Sequence, residues 1–570
     1  MTAPRLSEFI KAYDVRGLVP QQLNASVAFA IGSAFAQVVA RPDGATSMVI
    51  GHDMRPSSPE LSRAFAAGAA ARGIDVTLIG LCSTDGLYYA SGALDVPGAM
   101  FTASHNPAQY NGIKLCRSGA RPVGQDTGLG EVRDLAQAML DSDETPPPAD
   151  DAAGTITERD LLADYAAFLR GLVDLSQIRP LKVVVDAGNG MGGYTVPAVL
   201  GTLAGLPALP LTVIPLYFEL DGTFPNHEAN PLNPENLVDL QAAVVAQGAD
   251  IGLAFDGDAD RCFVVDERGE PVSPSAVTAL VATREIAKEE AAGRPGARIV
   301  YNVISSAAVP EIIAETGGTA IRTRVGHSFI KGEMARHQAV FGGEHSAHYY
   351  FRDFWFADTG MLAALHVLAA LGEQSRPISE VGARFSRYAA SGEINSTVAD
   401  AGAATADVRA WATAWANDQS QVVEFDELDG MTVTHQGAPM WWFNLRASNT
   451  EPLLRLNVEA VDETTMERVR DDVLSIVRRK SPTTQTEATQ AHAQSAADAP
   501  VPSSYDSSAP QIEPWLREIL RCPSCLSTLS DGSGPSGPEL HCTNAECRKA
   551  YRIDDGIPVL LVDESRSLAD

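Results

Sequence analysis

Along the first 480 residues the apolar and polar positions repeat one theme: a short apolar run, a loop carrying glycine or aspartate, then a helix-like stretch. MVIGHDMRPSS at 48–58 leads into PELSRAFAAGAAARG, KVVVDAGNGMGGYT at 182–195 leads toward PAVLGTLAG, and RIVYNVISS at 298–306 leads into AAVPEIIAETGG. Unbroken apolar runs alternating with helical spacing predict parallel α/β layers. In such sheets the loops at the C-terminal ends of the strands bind ligands. Past about residue 386 the pattern changes to TVTHQGAPMWWFNLRAS, LLRLNVEAVD and the helix-like TMERVRDDVLSIVRRK, which reads as an antiparallel α+β unit.

Polar breaks at DSDETPPPADDAAG, at the charged turn DERGEPV (266–272) and around 374–390 divide this body. The expected fold class is therefore three related α/β domains, at 1–150, 151–266 and 267–385, plus a smaller α+β fourth domain at 386–480. Residues 481–511 hold no Leu, Phe or Trp and almost no charge, so they cannot bury enough surface to order themselves and are expected to form a disordered linker. A small unit at 512–570 follows.

The formal net charge of -29 argues against a nucleic-acid or anionic-membrane partner, which needs a basic face. An anionic substrate would then require Lys and Arg gathered in one cleft. The N-terminus has no basic start followed by an apolar core, and no stretch of about 18 apolar residues occurs, so a cytoplasmic, unanchored protein is expected. Cys82, Cys116 and Cys262 are scattered through the body, as suits a reducing compartment, whereas Cys522, Cys525, Cys542 and Cys547 crowd the tail.

Five segments carry candidate chemistry. AMFTASHNPAQYNGIKL sets Ser104 just past an apolar strand, with His105 beside it and Lys114 ten residues on. A serine hydroxyl needs a base or a cation to become a nucleophile, and these neighbours offer both. The same string also reads as a plain Ser/Asx turn ended by proline. IGLAFDGDADRCFVV places Asp256, Asp258 and Asp260 at alternate positions on a tight loop between strand-like runs. Three hard oxygen donors there suit magnesium, and an EF-hand is excluded because its glycine position holds Arg261 and its flanks are β-like. Arg261 would either stabilise charge on a moving phosphoryl group or simply neutralise the carboxylates.

RTRVGHSFIKGEM offers His327 and Lys331 four residues apart, and FGGEHSAHYYF offers Glu344, Ser346 and His348 as groups able to grip sugar hydroxyls. RASNTEPLLRLNV brings Arg446, Ser448, Asn449, Thr450 and Arg455 into and beside one turn, a density of donors that suits a phosphate.

Together YDVRG (13–17), TASHNP, DGDADR, VGHSFIK, GEHSAH and RASNTEP, in this order, closely resemble the α-D-phosphohexomutase family, in its phosphomannomutase and phosphomannomutase/phosphoglucomutase branch. The resemblance implies four domains around a central cleft and an isomerase that moves a phosphoryl group. It implies Ser104 as phosphoserine and metal ligand, magnesium on Asp256, Asp258 and Asp260, and Arg16, Lys114, Arg261 and His327 nearest the reacting atoms. Tyr13, His105, Lys331, Glu344, Ser346 and His348 would meet the sugar, and Arg446, Ser448, Asn449, Thr450 and Arg455 the distal phosphate. The reaction implied is mannose 6-phosphate to mannose 1-phosphate through a hexose 1,6-bisphosphate, which also serves as primer, supplying GDP-mannose synthesis. The alternatives are a phosphoglucomutase or dual-specificity mutase, or a non-catalytic phosphosugar-binding protein. Ala347 departs from the branch, which commonly has glycine there, and its methyl group is expected to tighten the sugar loop.

The tail spacing C-x2-C-x16-C-x4-C is close to a four-thiolate zinc ribbon, with Cys522, Cys525, Cys542 and Cys547 as ligands. The bland reading is four reduced thiols packed as small hydrophobes. YRIDDGIPVLL resembles the small zinc-binding activator subunits of tRNA and protein methyltransferases, which implies a methyltransferase-like protein partner for residues 512–570.

Overall fold

The computed structural model describes residues 4–11, 13–142, 153–447 and 453–479, and 520–568 apart from 526, 535–536, 545–546, 555–556 and 561–564. The expected linker at 481–511 and the turn residues Ser448, Asn449 and Thr450 lie outside the described residues. The chain divides into two compact units, 1–479 and 480–570.

The first unit contains three sheets built on one plan. In the first, the parallel strands Ser47–His52, Asp75–Leu81 and Gly98–Phe101 are extended by the antiparallel Tyr110–Arg117 and Val15–Leu18. In the second, Leu181–Asp186 lies between its parallel partners Leu211–Leu216 and Ile251–Phe255, and Cys262–Val265 returns antiparallel. In the third, Arg298–Asn302 lies between Thr319–Thr323 and Phe341–Gly343, and Tyr349–Phe351 returns antiparallel. Each unit thus ends its parallel part in a hairpin, and the three hairpin loops are 102–109, 256–261 and 344–348. These loops carry Ser104, the aspartates and the Glu344–His348 group.

The central strands are fully buried, as apolar runs such as Val183–Val185 and Ile251–Phe255 require when helices cover both faces. The core is continuous through all three sheets, so the units are packed as one body. Sheet membership shifts two expected boundaries. Ile156–Glu158 pairs with Asp75–Leu81 in the first sheet, and Pro271–Val272 pairs back onto Cys262–Val265 in the second. The charged turn at 266–270 is therefore a hairpin within a domain, because its polar composition marks a turn and not a break in the sheet.

The fourth domain is a wholly antiparallel sheet, in spatial order Ala389–Thr397, Leu453–Ala460, Trp441–Ala447, Met431–His435, Glu424–Asp426, backed by the helices Ala401–Gln419 and Glu463–Val477. It has its own core around Trp441, Phe443, Leu456, Val458 and Val469. Its described bonds to the third unit are polar: Ser306 Oγ donates to Glu459 at 2.8 Å, Val325 N to Asp429 at 2.9 Å, and Arg322 to Asp426.

The C-terminal unit forms a small antiparallel sheet from Leu529–Gly534, Gly537–Cys542, Lys549–Asp554 and Ile557–Pro558. Its core is Cys522, Leu529, Leu540, Cys542 and Tyr551. No helix among the described residues is long and apolar enough to cross a membrane.

Candidate active site

Beyond the strand Gly98–Phe101 the chain tightens at once: Ser104 N donates to Thr102 Oγ1 at 2.9 Å, and Asn106 N donates to Ala103 O at 3.0 Å. Ser104 itself sits at φ 50°, in the left-handed region that a serine enters at a cost of order 1–3 kcal/mol, and it is 3% exposed. Arg55 compensates that cost. Its guanidinium is 1% exposed and donates to the carbonyls of Ser104, Asn106, Pro107 and Tyr110 at 2.6–2.9 Å. Phe224, from the second α/β domain of the same body, covers it at 5.1 Å.

The aspartate loop packs directly on this turn. A Cβ on Gly257 would lie 2.4 Å from the Ser104 carbonyl oxygen, so only glycine allows the two loops to approach so closely. Ser104 Oγ donates to Asp256 Oδ2 at 2.9 Å, and Arg261 donates to the same oxygen through Nε at 2.9 Å and Nη2 at 2.7 Å. Lys114 Nζ, from the strand Tyr110–Arg117, donates to Asp258 at 2.7 Å and Asp260 at 2.6 Å. Thr84 Oγ1 adds a 2.5 Å bond to Asp258.

The aspartate oxygens lie within 4.8 Å of one another, and Oδ1 of both Asp258 and Asp260 is buried without a hydrogen-bond partner. Converging carboxylates with orphaned oxygens fit a hard divalent cation such as magnesium. The electrostatics agree. Burial, with Asp260 and Asp258 beside it, raises the pKa of Asp256 in spite of Arg261. Burial also opposes the charge on Asp258, but Lys114 and the Thr84 hydroxyl outweigh it and hold that carboxyl below the usual range.

His105 Nδ1 receives Arg261 Nη2 at 2.5 Å and lies 3.1 Å from Ser104 Oγ. A guanidinium only donates, so this nitrogen is an acceptor, and burial together with Arg261 holds the imidazole pKa well below its ordinary value. Arg16 Nη1 donates to Asn106 at 2.5 Å and Nε to Asp14 at 2.7 Å, fixing the N-terminal edge of the site.

The third loop closes the group. His348 Nε2 lies 3.6 Å from Asp260 Oδ1, its Nδ1 is 3.0 Å from Ser346 Oγ, and its backbone bridges to that of Arg261. Glu344 is 2% exposed, and accepts from Tyr350 OH at 2.7 Å, Gly326 N at 3.0 Å and Asn302 at 3.2 Å, so it braces the loop from beneath. Ala347 occupies the left-handed region at φ 64°, a conformation that a residue with a Cβ adopts at a cost and glycine does not. His327 begins the helix His327–His337 and meets the Tyr13 ring edge-on at 4.7 Å; burial and Lys331 push its pKa well below the ordinary value. Lys331 is 3% exposed, paired with Asp358, and lies 4.3 Å over the Tyr88 ring.

From the fourth domain, Arg446 and Arg455 share Glu393, at 2.8 and 3.2 Å. Burial raises the pKa of the Tyr13 hydroxyl, with Arg455 among the charges that act on it, and burial lowers that of His345, against Glu393. Arg55, Thr84 and Asp85 were not among the sequence candidates. Asp85 is fully buried and accepts from Tyr165 OH and Thr359 Oγ1, both at 2.7 Å, joining three units behind the metal loop; burial pushes its carboxyl up to about 6.

In the C-terminal unit the four Sγ atoms of Cys522, Cys525, Cys542 and Cys547 converge, with Cys522–Cys547 at 3.6 Å and Cys525–Cys542 at 3.4 Å. Tetrahedral zinc with bonds of ~2.3 Å would separate its sulfurs by ~3.8 Å, so the cluster fits with a small relaxation. Hydrogen bonds from Ser527 bring the Cys525 thiol down to about 6, whereas burial and its bonds with the other three thiols push Cys547 up to about 12.

Four family models match the chain in order: phosphoglucomutase/phosphomannomutase alpha/beta/alpha domains I, II and III at 8–138, 163–269 and 274–388, and the C-terminal domain at 393–476. A phosphomannomutase of Salmonella montevideo is 40% identical over 452 residues, covering 79% of this chain and 94% of that protein. A Xanthomonas campestris pv. campestris protein named phosphohexose mutases is 40% identical over 471 residues, covering 82% and 98%. A solved phosphoglucomutase/phosphomannomutase family structure from Burkholderia thailandensis has a TM-score of 0.69 at 28% identity, covering 83% of this chain and 98% of that one.

Proposed function

The chain belongs to the phosphoglucomutase/phosphomannomutase family, which makes it a phosphohexomutase, and from that premise we propose that it interconverts mannose 6-phosphate and mannose 1-phosphate. The observation that carries the reading is the meeting of Ser104 Oγ with Asp256 and, at 3.4 Å, Arg261 Nη2, where the hairpin loops of the three units come together. The preference for mannose is supported by relatives at 40% identity that bear the name phosphomannomutase.

In this mechanism the resting enzyme carries a phosphoryl group on Ser104 Oγ. The free hydroxyl of a hexose monophosphate attacks that phosphorus, the bond to Ser104 breaks, and the hydroxyl proton passes to neutral His327. The hexose 1,6-bisphosphate turns end for end in the cleft. Its other phosphate returns to Ser104, and the freed sugar oxygen takes the proton back from His327. Asp256, Asp258 and Asp260 would hold magnesium, which supplies neutralising charge for the phosphoryl oxygens. Arg261 and Lys114 stabilise the charge spreading over those oxygens, and Arg16 holds the serine turn through Asn106. Ser346 and His348 meet the sugar, and Arg446 and Arg455 grip the phosphate remote from the reaction, with the turn 448–450 beside them.

The same proposal places the enzyme in the cytoplasm, as a source of mannose 1-phosphate for GDP-mannose synthesis. It assigns zinc to the four tail cysteines and, by resemblance, a methyltransferase-like partner to residues 512–570. A coupled assay of the full chain on mannose 1-phosphate and glucose 1-phosphate, with magnesium and a trace of hexose 1,6-bisphosphate, tests the function. Higher kcat/KM for the mannose compound supports the proposal; a clear glucose preference overturns the sugar assignment, and no turnover of either overturns the reaction. For the tail, capture of a methyltransferase by the full chain but not by a Cys542→Ser form is expected, and no difference between the two refutes the partner.

A further inference from the structure

Arg446 and Arg455 stand directly opposite each other on the antiparallel strands Trp441–Ala447 and Leu453–Ala460. Like charges in that register repel and weaken a sheet unless a counter-charge lies between them. Glu393 is that charge. Its Oε2 accepts from Arg446 Nη2 at 2.8 Å and its Oε1 from Arg455 Nη1 at 3.2 Å, so one carboxylate bridges both guanidiniums.

Glu393 reaches them through a deliberate irregularity of the backbone. The strand Ala389–Thr397 breaks register between Ala390 and Glu393, and Gly392 lies at φ 67°. A bulge of this kind re-aims the side chain that follows it. Of five N–H donors on each arginine, one is bound to Glu393, and among the described residues Nε of both is buried without a partner. The pair therefore keeps donors for a bidentate anion, but these three side chains together, two positive and one negative, sum to a single net positive charge.

Resting on the mutase reading above, we propose that Glu393 is a positioning residue that limits the grip of the distal phosphate site: it holds Arg446 and Arg455 side by side while cancelling one of their charges. A mutase of this type must release one phosphate of its intermediate from the cradle and accept the other. Binding that is equally tight before and after the turn would deepen the intermediate and slow turnover. A dianion held by two arginines that share one carboxylate is oriented and still exchangeable.

The test is Glu393→Gln, with Glu393→Ala as a second variant, in the full chain. Removing the charge is expected to tighten binding of hexose 6-phosphate, read as KM, and of inorganic phosphate, read by titration calorimetry, each by about tenfold. At the same time kcat is expected to fall several-fold, so the two parameters move down together. A residue that merely propped the arginines would give the opposite sign, and a raised or unchanged KM and phosphate Kd in both variants overturns the proposal. A wild-type chain without mutase turnover would instead overturn the function on which the proposal rests, while the phosphate titration would still read whether Glu393 weakens the cradle.

Discussion

Ser104 Oγ donates a 2.9 Å hydrogen bond to Asp256 Oδ2, joining two loops that stand 152 positions apart in the chain. Both loops occupy the same place in their units, the hairpin after the last parallel strand. Repetition of one unit therefore brings Ser104 and the aspartate loop together with no element devoted to the purpose. A third copy of that hairpin adds His348, 3.6 Å from Asp260.

Arg55 fixes the serine turn. It serves four carbonyls with a planar fork that lysine, a point donor, cannot reproduce. Arg55→Lys should lower kcat by roughly 100-fold, since a displacement of the nucleophile by an ångström has that effect, while magnesium affinity changes little. Steady-state kinetics and a metal titration check this, and a kcat near that of wild type would contradict it.

On the proposed function Arg446 grips the phosphate remote from the reacting atoms, in the ground state as in the transition state, so its loss should appear as binding. Arg446→Ala should raise KM by about 10-fold to 100-fold with kcat nearly kept, as expected for one charged hydrogen-bonding group. An unchanged KM would remove the arginine from the phosphate site.

Glu459 gives the junction of the third and fourth domains a pH dependence. Burial pushes its carboxyl up to about 7, against hydrogen bonds from Ser306 and Ala307. An acid whose folded pKa lies above its unfolded value contributes fully below the unfolded value and loses that contribution as pH rises through the folded one. The loss amounts to about 3 kcal/mol over that interval. Amide protection in the helix Ala308–Glu315, corrected for intrinsic exchange, should fall as pH rises from about 5 to about 8, and Glu459→Gln should flatten the slope. An equal slope in both proteins would assign it to another group.

Zinc in the C-terminal unit should be separable from the chemistry of the body. Among the described residues its buried cluster is Cys522, Leu529, Leu540, Cys542 and Tyr551, too few to hold a sheet without a metal. A strong chelator should release zinc and abolish amide protection in Lys549–Asp554 while mutase turnover persists. Protection that survives chelation would favour packed thiols.

The loops were legible because their chemistry is local: a serine before His-Asn-Pro, or three aspartates at alternate positions, marks itself in a few residues. The strands were legible because buried parallel strands leave unbroken apolar runs. Arg55 was not, since a buried arginine bonded to carbonyls 49 to 55 positions away looks in sequence like any arginine before a proline. Thr84 and Asp85 were hidden for the same reason, as their partners Asp258 and Thr359 lie 174 and 274 positions on. Lys331 was visible as a cation beside His327, but its burial against Tyr88 and Asp358 is a property of the packed body.

The most direct measurement concerns Ser104. The full chain is incubated with hexose 1,6-bisphosphate and its peptides are weighed before and after addition of mannose 6-phosphate. The account predicts one phosphoryl group on the Ser104 peptide that the sugar then removes, and a loss of turnover by orders of magnitude in Ser104→Ala. Mutase turnover with Ser104 never phosphorylated, or a near-normal rate in that variant, would contradict it.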